Sequence, residues 1–165
     1  MNWIGTFQSS RTWRTKPMKI TSTSFESELT DSANHLVRSA SSSPFNGNGW
    51  SPIVILGHVS DVDEQVWLAR IDSMVRTFRA NEPRPTFAWW EPDPLATQLK
   101  FERYSLDEAA AHLLSSRKRV ISTLNALDIQ DWNAKASHAT FGLMHLADMI
   151  EKILIHDKEH LASLK

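Results

Sequence analysis

His156 and His160 stand four residues apart in the apolar C-terminal run IEKILIHDKEHLASL, and His58 lies in a second helix-like segment, ILGHVSDVDEQVWLARI. Residues i and i+4 of a helix share a face and are about 6 Å apart along its axis. Both imidazoles can therefore reach one divalent ion, with His58 as the third ligand from another helix. Three histidine ligands leave coordination positions open for water or substrate. An ion held in this way lowers the pKa of a bound water or thiol and so generates a nucleophile near neutral pH.

A pair at this spacing is a degenerate motif, and a surface helix with two solvated imidazoles is the other reading of it. The surrounding residues favour an inward position. Ile150, Ile153, Leu154, Leu161 and Leu164 form a helical apolar stripe, and His156 and His160 fall at or beside it. Asp61 shares the face of His58, where its carboxylate is a candidate either to orient the imidazole or to act as a base. A solvated helix face is the alternative for Asp61 and the reading for Glu64. Asp157 is turned about 100° from His156 and suits a structural salt bridge. His145 is three turns before His156, about 16 Å along the axis, too far to share an ion. His35, His112 and His138 read as polar surface or capping residues.

These side chains must be positioned by helices. Residues 22–40 place Phe25, Leu29, Ala33, Leu36 and Val37 at helical spacing, and SSSPFNGNGW ends that helix. Ser51 as N-cap and Pro52 in the first turn open a second helix that runs to about residue 80 on Ile55, Val59, Val62, Val66, Ile71, Val75 and Phe78. Ser105 and Glu108 form a capping box for a third, with Leu106, Ala109, Leu113, Val120, Leu124 and Leu127 as its stripe. The fourth is expected from near Thr140 to the C-terminus. Residues 81–104 hold Pro83, Pro85, Pro92 and Pro94 with Phe87, Trp89 and Trp90, and read as a long loop that caps the bundle or walls a pocket. The pattern predicts an all-α, antiparallel four-helix bundle with that loop between helices two and three.

Composition narrows the function. The 165 residues suit one core, and 41% hydrophobic with 22% charged residues is ordinary for a globular chain. A net charge of −1 with no basic stripe argues against nucleic acid as a partner. No apolar run approaches the roughly 20 residues that span a bilayer, so no membrane partner is expected. The absence of cysteine removes disulfides, thiolate ligands and a thiolate nucleophile, and is compatible with a cytoplasmic location. Arg11, Arg14 and Lys16 among Ser and Thr faintly suggest a transit peptide. The preferred division makes residues 1–17 a flexible N-terminal extension, with Met18 as start, and residues 18–165 the bundle domain.

The segments GWSPIVILGHVSDVDEQVWLARI, the arginine of SSRKRV, the DW pair and HATFGLMHLADMIEKILIHDKEHLASL together resemble the DinB-like superfamily of four-helix metalloproteins over residues 22–165. The resemblance implies an up-down-down-up bundle and a divalent metal, nickel or zinc, on His58, His156 and His160. Some members of that family transfer a low-molecular-weight thiol to an electrophile or isomerise through a thiol adduct, and many have no established reaction; this cysteine-free chain would receive any thiol as a cosubstrate. Two functions follow as expectations. One is a metal-dependent transferase or hydrolase acting on a small molecule beneath residues 81–104. The other is a non-catalytic metal-binding or stress-response module, in which the ion ties helices together and the chain forms a homodimer.

Overall fold

Residues 22–164 are described by the computed structural model, so the expected extension over residues 1–17 and the start at Met18 lie outside the described residues. Helix α1 (Ser22–Ser41) turns the expected stripe inward, burying Phe25, Leu29, Ala33 and Leu36. Helix α2 (Pro52–Val62) begins where Ser51 accepts the Val54 N–H at 3.4 Å, with Pro52 in the first turn. It continues through a π-helical segment (Asp63–Leu68) into α3 (Ala69–Arg79), so the single long helix expected to residue 80 is a compound one. The wider π turn shifts the inward-facing register and buries Asp63, Val66 and Trp67 together.

Residues 81–104 are more ordered than a loop. Thr86–Phe87 form a short strand, β1, and Pro94–Phe101 form a helix, α4. Pro94 does not prevent that helix but starts it, because its missing N–H falls in the first turn, and Asp93 accepts the Ala96 N–H at 2.8 Å as N-cap. Helix α5 (Leu106–Asn125) has the capping box of Ser105 and Glu108. The last helix, α6 (Leu146–Ser163), starts six residues later than the expected Thr140. In between lies a hairpin, β2 (Lys135–His138) and β3 (Gly142–His145), with Gly142 at φ +72° in its turn. Strand β2 pairs antiparallel with β3 and parallel with β1, giving a three-stranded sheet in the order β1-β2-β3. A helical bundle with a small sheet therefore replaces the purely four-helical expectation.

Two apolar clusters fill the bundle. Leu36, Leu56, Val59 and Leu113 belong to one; Leu29, Ile71, Met74, Val120 and Ile153 belong to the other. A polar layer separates them. Arg117 lies between Leu113 and Val120 on α5, and Asp157 lies between Ile153 and Leu161 on α6. Both side chains are buried, as is Asp63. Arg117 donates to Asp63 at 3.0 and 3.2 Å, to Asp157 at 2.6 and 2.9 Å, and to the Leu29 carbonyl at 3.2 Å. Ser116 donates to Asp63 at 3.2 Å and Ser32 to Asp157 at 2.7 Å. One guanidinium thus ties α1, the π segment and α6 to α5. A buried charge is tolerable only with such satisfaction of its donors.

Candidate metal centre

The polar layer leads directly to the histidines. Asp157 is held by Arg117, and the neighbouring residue, His156, is rotated toward α2. The Nε2 atom of His156 lies 3.3 Å from His58 Nε2 and 3.2 Å from His160 Nε2. One ligand atom from each of the three imidazoles lies within 4.8 Å of the others. Four-coordinate zinc at about 2.0–2.1 Å from each nitrogen would space its ligand nitrogens by about 3.3–3.4 Å. Protons alone serve this arrangement poorly: an Nε2 is either a donor or an acceptor, so His156 cannot donate to one neighbour and accept from the other through the same atom. A cation attracts all three lone pairs at once, and the cluster is capable of holding a divalent ion.

The electrostatics favour the neutral, ligating form. Burial, and then the charge of His160, pushes His58 down to about 3. Burial lowers His160 to about 4, although Asp157 pulls the other way. His156 falls well below its ordinary value, first through burial and then through His160, His58 and Arg117. Near neutral pH all three are free bases with a lone pair available. In the polar layer, burial raises Asp63 to about 6 against the opposing pull of Arg117. Burial disfavours the Arg117 cation, but its bonds to Asp157 and Asp63 outweigh that and hold it above the usual guanidinium range.

Aromatic rings encase the centre. Trp50 packs 4.9 Å from His58 and stacks at 6.5 Å on His160; Trp90 stacks at 6.4 Å on His58; Trp67 meets His156 edge-on at 6.2 Å. These contacts take the place of the carbonyl or carboxylate that usually orients a ligating imidazole. The Nδ1 atoms of His58 and His156 are buried without a hydrogen-bond partner among the described residues. Residues 81–104 therefore wall the histidines through Trp90, as one of the two readings of that segment expected.

Helix α4 completes the wall. Gly57, next to His58, leaves room for the Phe101 ring where a Cβ would otherwise stand. Beside this contact a cavity of about 240 Å³ is lined by His58, Asp61, Gln65, Trp90, Thr97 and Lys100, among others. Asp61 lies on that cavity, where its carboxylate accepts Lys100 Nζ at 2.6 and 2.8 Å; no hydrogen bond joins it to His58. Another recess, about 260 Å³ between α3 and α5, contains no histidine.

The remaining histidines are apart from the three. His35 and His112 are exposed, as expected of surface residues. His145 is exposed and caps α6, with its N–H donated to Asp148 at 2.7 Å. His138 corrects the expectation of a polar surface or loop position: it is buried in β2, at 4% exposure. Glu64 pairs with Arg119 at the surface, and Asp157 forms the structural salt bridge expected of it. Asp63 and Trp67 are not singled out by residue type, and the resemblance points to an arginine in SSRKRV without a role; Arg117 falls on the Leu113–Val120 stripe, the one signal that distinguishes it from Lys118 and Arg119.

The family model described as the DinB superfamily matches residues 9–164. The chain belongs to the DinB superfamily. Two solved structures share the fold of this DinB-superfamily chain. One is YfiT from Bacillus subtilis, described as a probable metal-dependent hydrolase with an unusual four-helix bundle topology. It superposes with a TM-score of 0.65 at 18% identity, over 91% of this chain and 89% of that one. The second is a histidine-to-alanine mutant of the mycothiol-dependent maleylpyruvate isomerase, with a TM-score of 0.60 at 11% identity, over 88% of this chain and 61% of that one. A comparison with curated proteins gives no significant match. Among the described residues, no helix of the DinB-superfamily bundle is long and apolar enough to cross a membrane.

Proposed function

We propose that this protein is a metal-dependent enzyme acting on a small molecule, with His58, His156 and His160 as the ligands of one nickel or zinc ion. The observation that carries the reading is the approach of His156 Nε2 to 3.3 Å from His58 Nε2 and 3.2 Å from His160 Nε2, among neutral imidazoles in a part-buried, aromatic-walled position. A divalent ion held by His58, His156 and His160 would supply Lewis acidity at this position. The chain does the rest. Trp50, Trp67 and Trp90 exclude bulk water and fix the imidazole planes, while Arg117 sets the height of α6 against α2. A small molecule enters beside His58 through the cavity under α4, where Asp61 serves as proton acceptor and Lys100 holds its carboxylate in place.

Within that class, a thiol-dependent transferase or a hydrolase is the best reading. The two similar folds are a described hydrolase and a described thiol-dependent isomerase, and a chain without cysteine takes its thiol from a cosubstrate. A second reading rests on the way the histidines join α2 to α6: an ion there would tie the two helices without catalysis. We further place the protein in the cytoplasm as a homodimer, an assembly that light scattering on purified material checks.

Elemental mass spectrometry on untagged protein tests the centre. About one ion per chain in wild type, lost in His58→Ala and His160→Ala, is the expected result; no ion after incubation with nickel or zinc overturns it. Screening thiol cosubstrates against electrophiles then separates enzyme from module, because full activity after verified metal removal excludes a metal-dependent reaction.

A further inference from the structure

Residues 91–100 are strung between two fixed points. On one side, β1 pairs with β2, Arg70 donates to the Ala88 carbonyl at 2.8 Å, and Trp90 stacks on His58. On the other, the Phe101 ring fills the notch at Gly57, and Tyr104 lies 5.6 Å from Phe101 and 5.3 Å from His112 of α5. The stretch between these anchors contains all of α4 except its last residue.

No residue from 91 to 100 is buried. Leu95 and Leu99 are exposed, so they do not hold the helix down. Its caps are internal: Asp93 accepts the Ala96 N–H, and Thr97 Oγ1 donates to the Asp93 carbonyl at 2.8 Å. Among the described residues, the one hydrogen-bonded link from this stretch to α2 is the pair of Lys100 with Asp61, at 2.6 and 2.8 Å, and the lysine is half exposed. Beneath the stretch lies the cavity of about 240 Å³, with His58, Asp61 and Gln65 on one wall and Ala96, Thr97 and Lys100 on the other. Segments with few buried apolar groups open far more readily than the core around them. Isolated helices shorter than about 12 residues are marginal in water, so the eight residues of α4 unwind when they part from α2. The latch is weak as well, because a solvated ion pair contributes little and is screened by salt.

We propose that residues 91–100 are a salt-sensitive strap, anchored at Trp90 and Phe101 and latched by Lys100 to Asp61, whose opening uncovers His58. Closed, the strap keeps bulk water from the cavity; open, it lets a small molecule pass. The motion itself does not depend on what the histidines hold. That the uncovered space serves a reacting molecule rests on the reading of the centre as metal-dependent and catalytic.

Two measurements on the metal-free full chain test the strap. Hydrogen–deuterium exchange read by peptide mass spectrometry follows α4, and modification by diethyl pyrocarbonate follows His58, with the exposed His35 and His112 as internal standards. The amides of residues 97–102 are expected to exchange faster than those of α2 and α5. Lys100→Gln should speed both that exchange and the modification of His58 by about two- to fivefold at low salt, the range of a solvated ion pair. Sodium chloride at about 0.5 M should do the same in wild type and add nothing in Lys100→Gln. Arg119→Gln, which removes the surface pair with Glu64, should change neither. Exchange and His58 modification that rise together support the strap whether or not the protein takes up metal; failure of metal uptake removes the catalytic reading alone. Exchange unmoved in Lys100→Gln, or faster exchange with His58 modification unchanged, overturns the proposal.

Discussion

Arg117 grips Asp157 through two hydrogen bonds, 2.6 and 2.9 Å long, within the turn of α6 that runs from His156 to His160. The same guanidinium holds Asp63, at the start of the π segment that continues the helix of His58. The spacing of the imidazoles is therefore set by a buried ion triad that touches none of them. Arg117→Ala leaves two buried carboxylates facing each other and should cost about 3–5 kcal/mol in urea unfolding. Arg117→Lys should recover only part, since an ammonium cannot span both carboxylates. Metal uptake should weaken in both variants, and a variant with wild-type stability and uptake would show that the triad does not position the centre.

Metal should stabilise the fold by mass action. At an ion concentration a hundredfold above Kd the gain is about 2.7 kcal/mol, and a chelator should reverse it. Differential scanning calorimetry with and without zinc measures this, and the shift should vanish in His156→Ala.

Acid should weaken the metal-free protein. His58 and His160, held at about 3 and 4, and His156, also lowered, stay neutral in the folded chain while the unfolded chain binds protons below about 6.5. Stability from these groups is full above that pH and is lost as pH falls toward 4. Asp63, raised to about 6, acts in reverse over part of the range, but one carboxyl is outweighed by three imidazoles. Urea midpoints at pH 7, 6 and 5 should fall in that order; a flat or rising series would contradict the burial of the neutral cluster.

Gly57→Ala should force Phe101 off α2, because the ring occupies the space of the added methyl. Overpacking of this kind costs about 1–3 kcal/mol. Adding Phe101→Leu should recover part of the loss, and a double-mutant cycle with no coupling would place the strain elsewhere.

Asp61→Asn separates chemistry from stability. The Asp61–Lys100 pair is partly solvated and should contribute no more than about 1 kcal/mol. Loss of a proton acceptor should instead lower turnover by about 100-fold or more once a substrate is in hand. Unchanged turnover would remove Asp61 from the reaction.

The helical periodicities of α1, α2 and α5, the caps at Ser51 and Ser105, and the shared face of His156 and His160 follow from local rules of spacing and capping, and so were legible in the chain itself. The proposed trio with His58 was also legible as a candidate, because inward histidines need partners. Local rules could not rank Asp61 above or below Asp63. A π turn places Asp63 inside and leaves Asp61 at the cavity, and only packing against α5 and α6 decides that register. Nor could they show that Trp50, Trp67 and Trp90 converge from three separate stretches, or that His138 is buried in a strand. Burial and distance between remote segments depend on how the helices cross, which the sum of tertiary contacts fixes and no local window of residues contains.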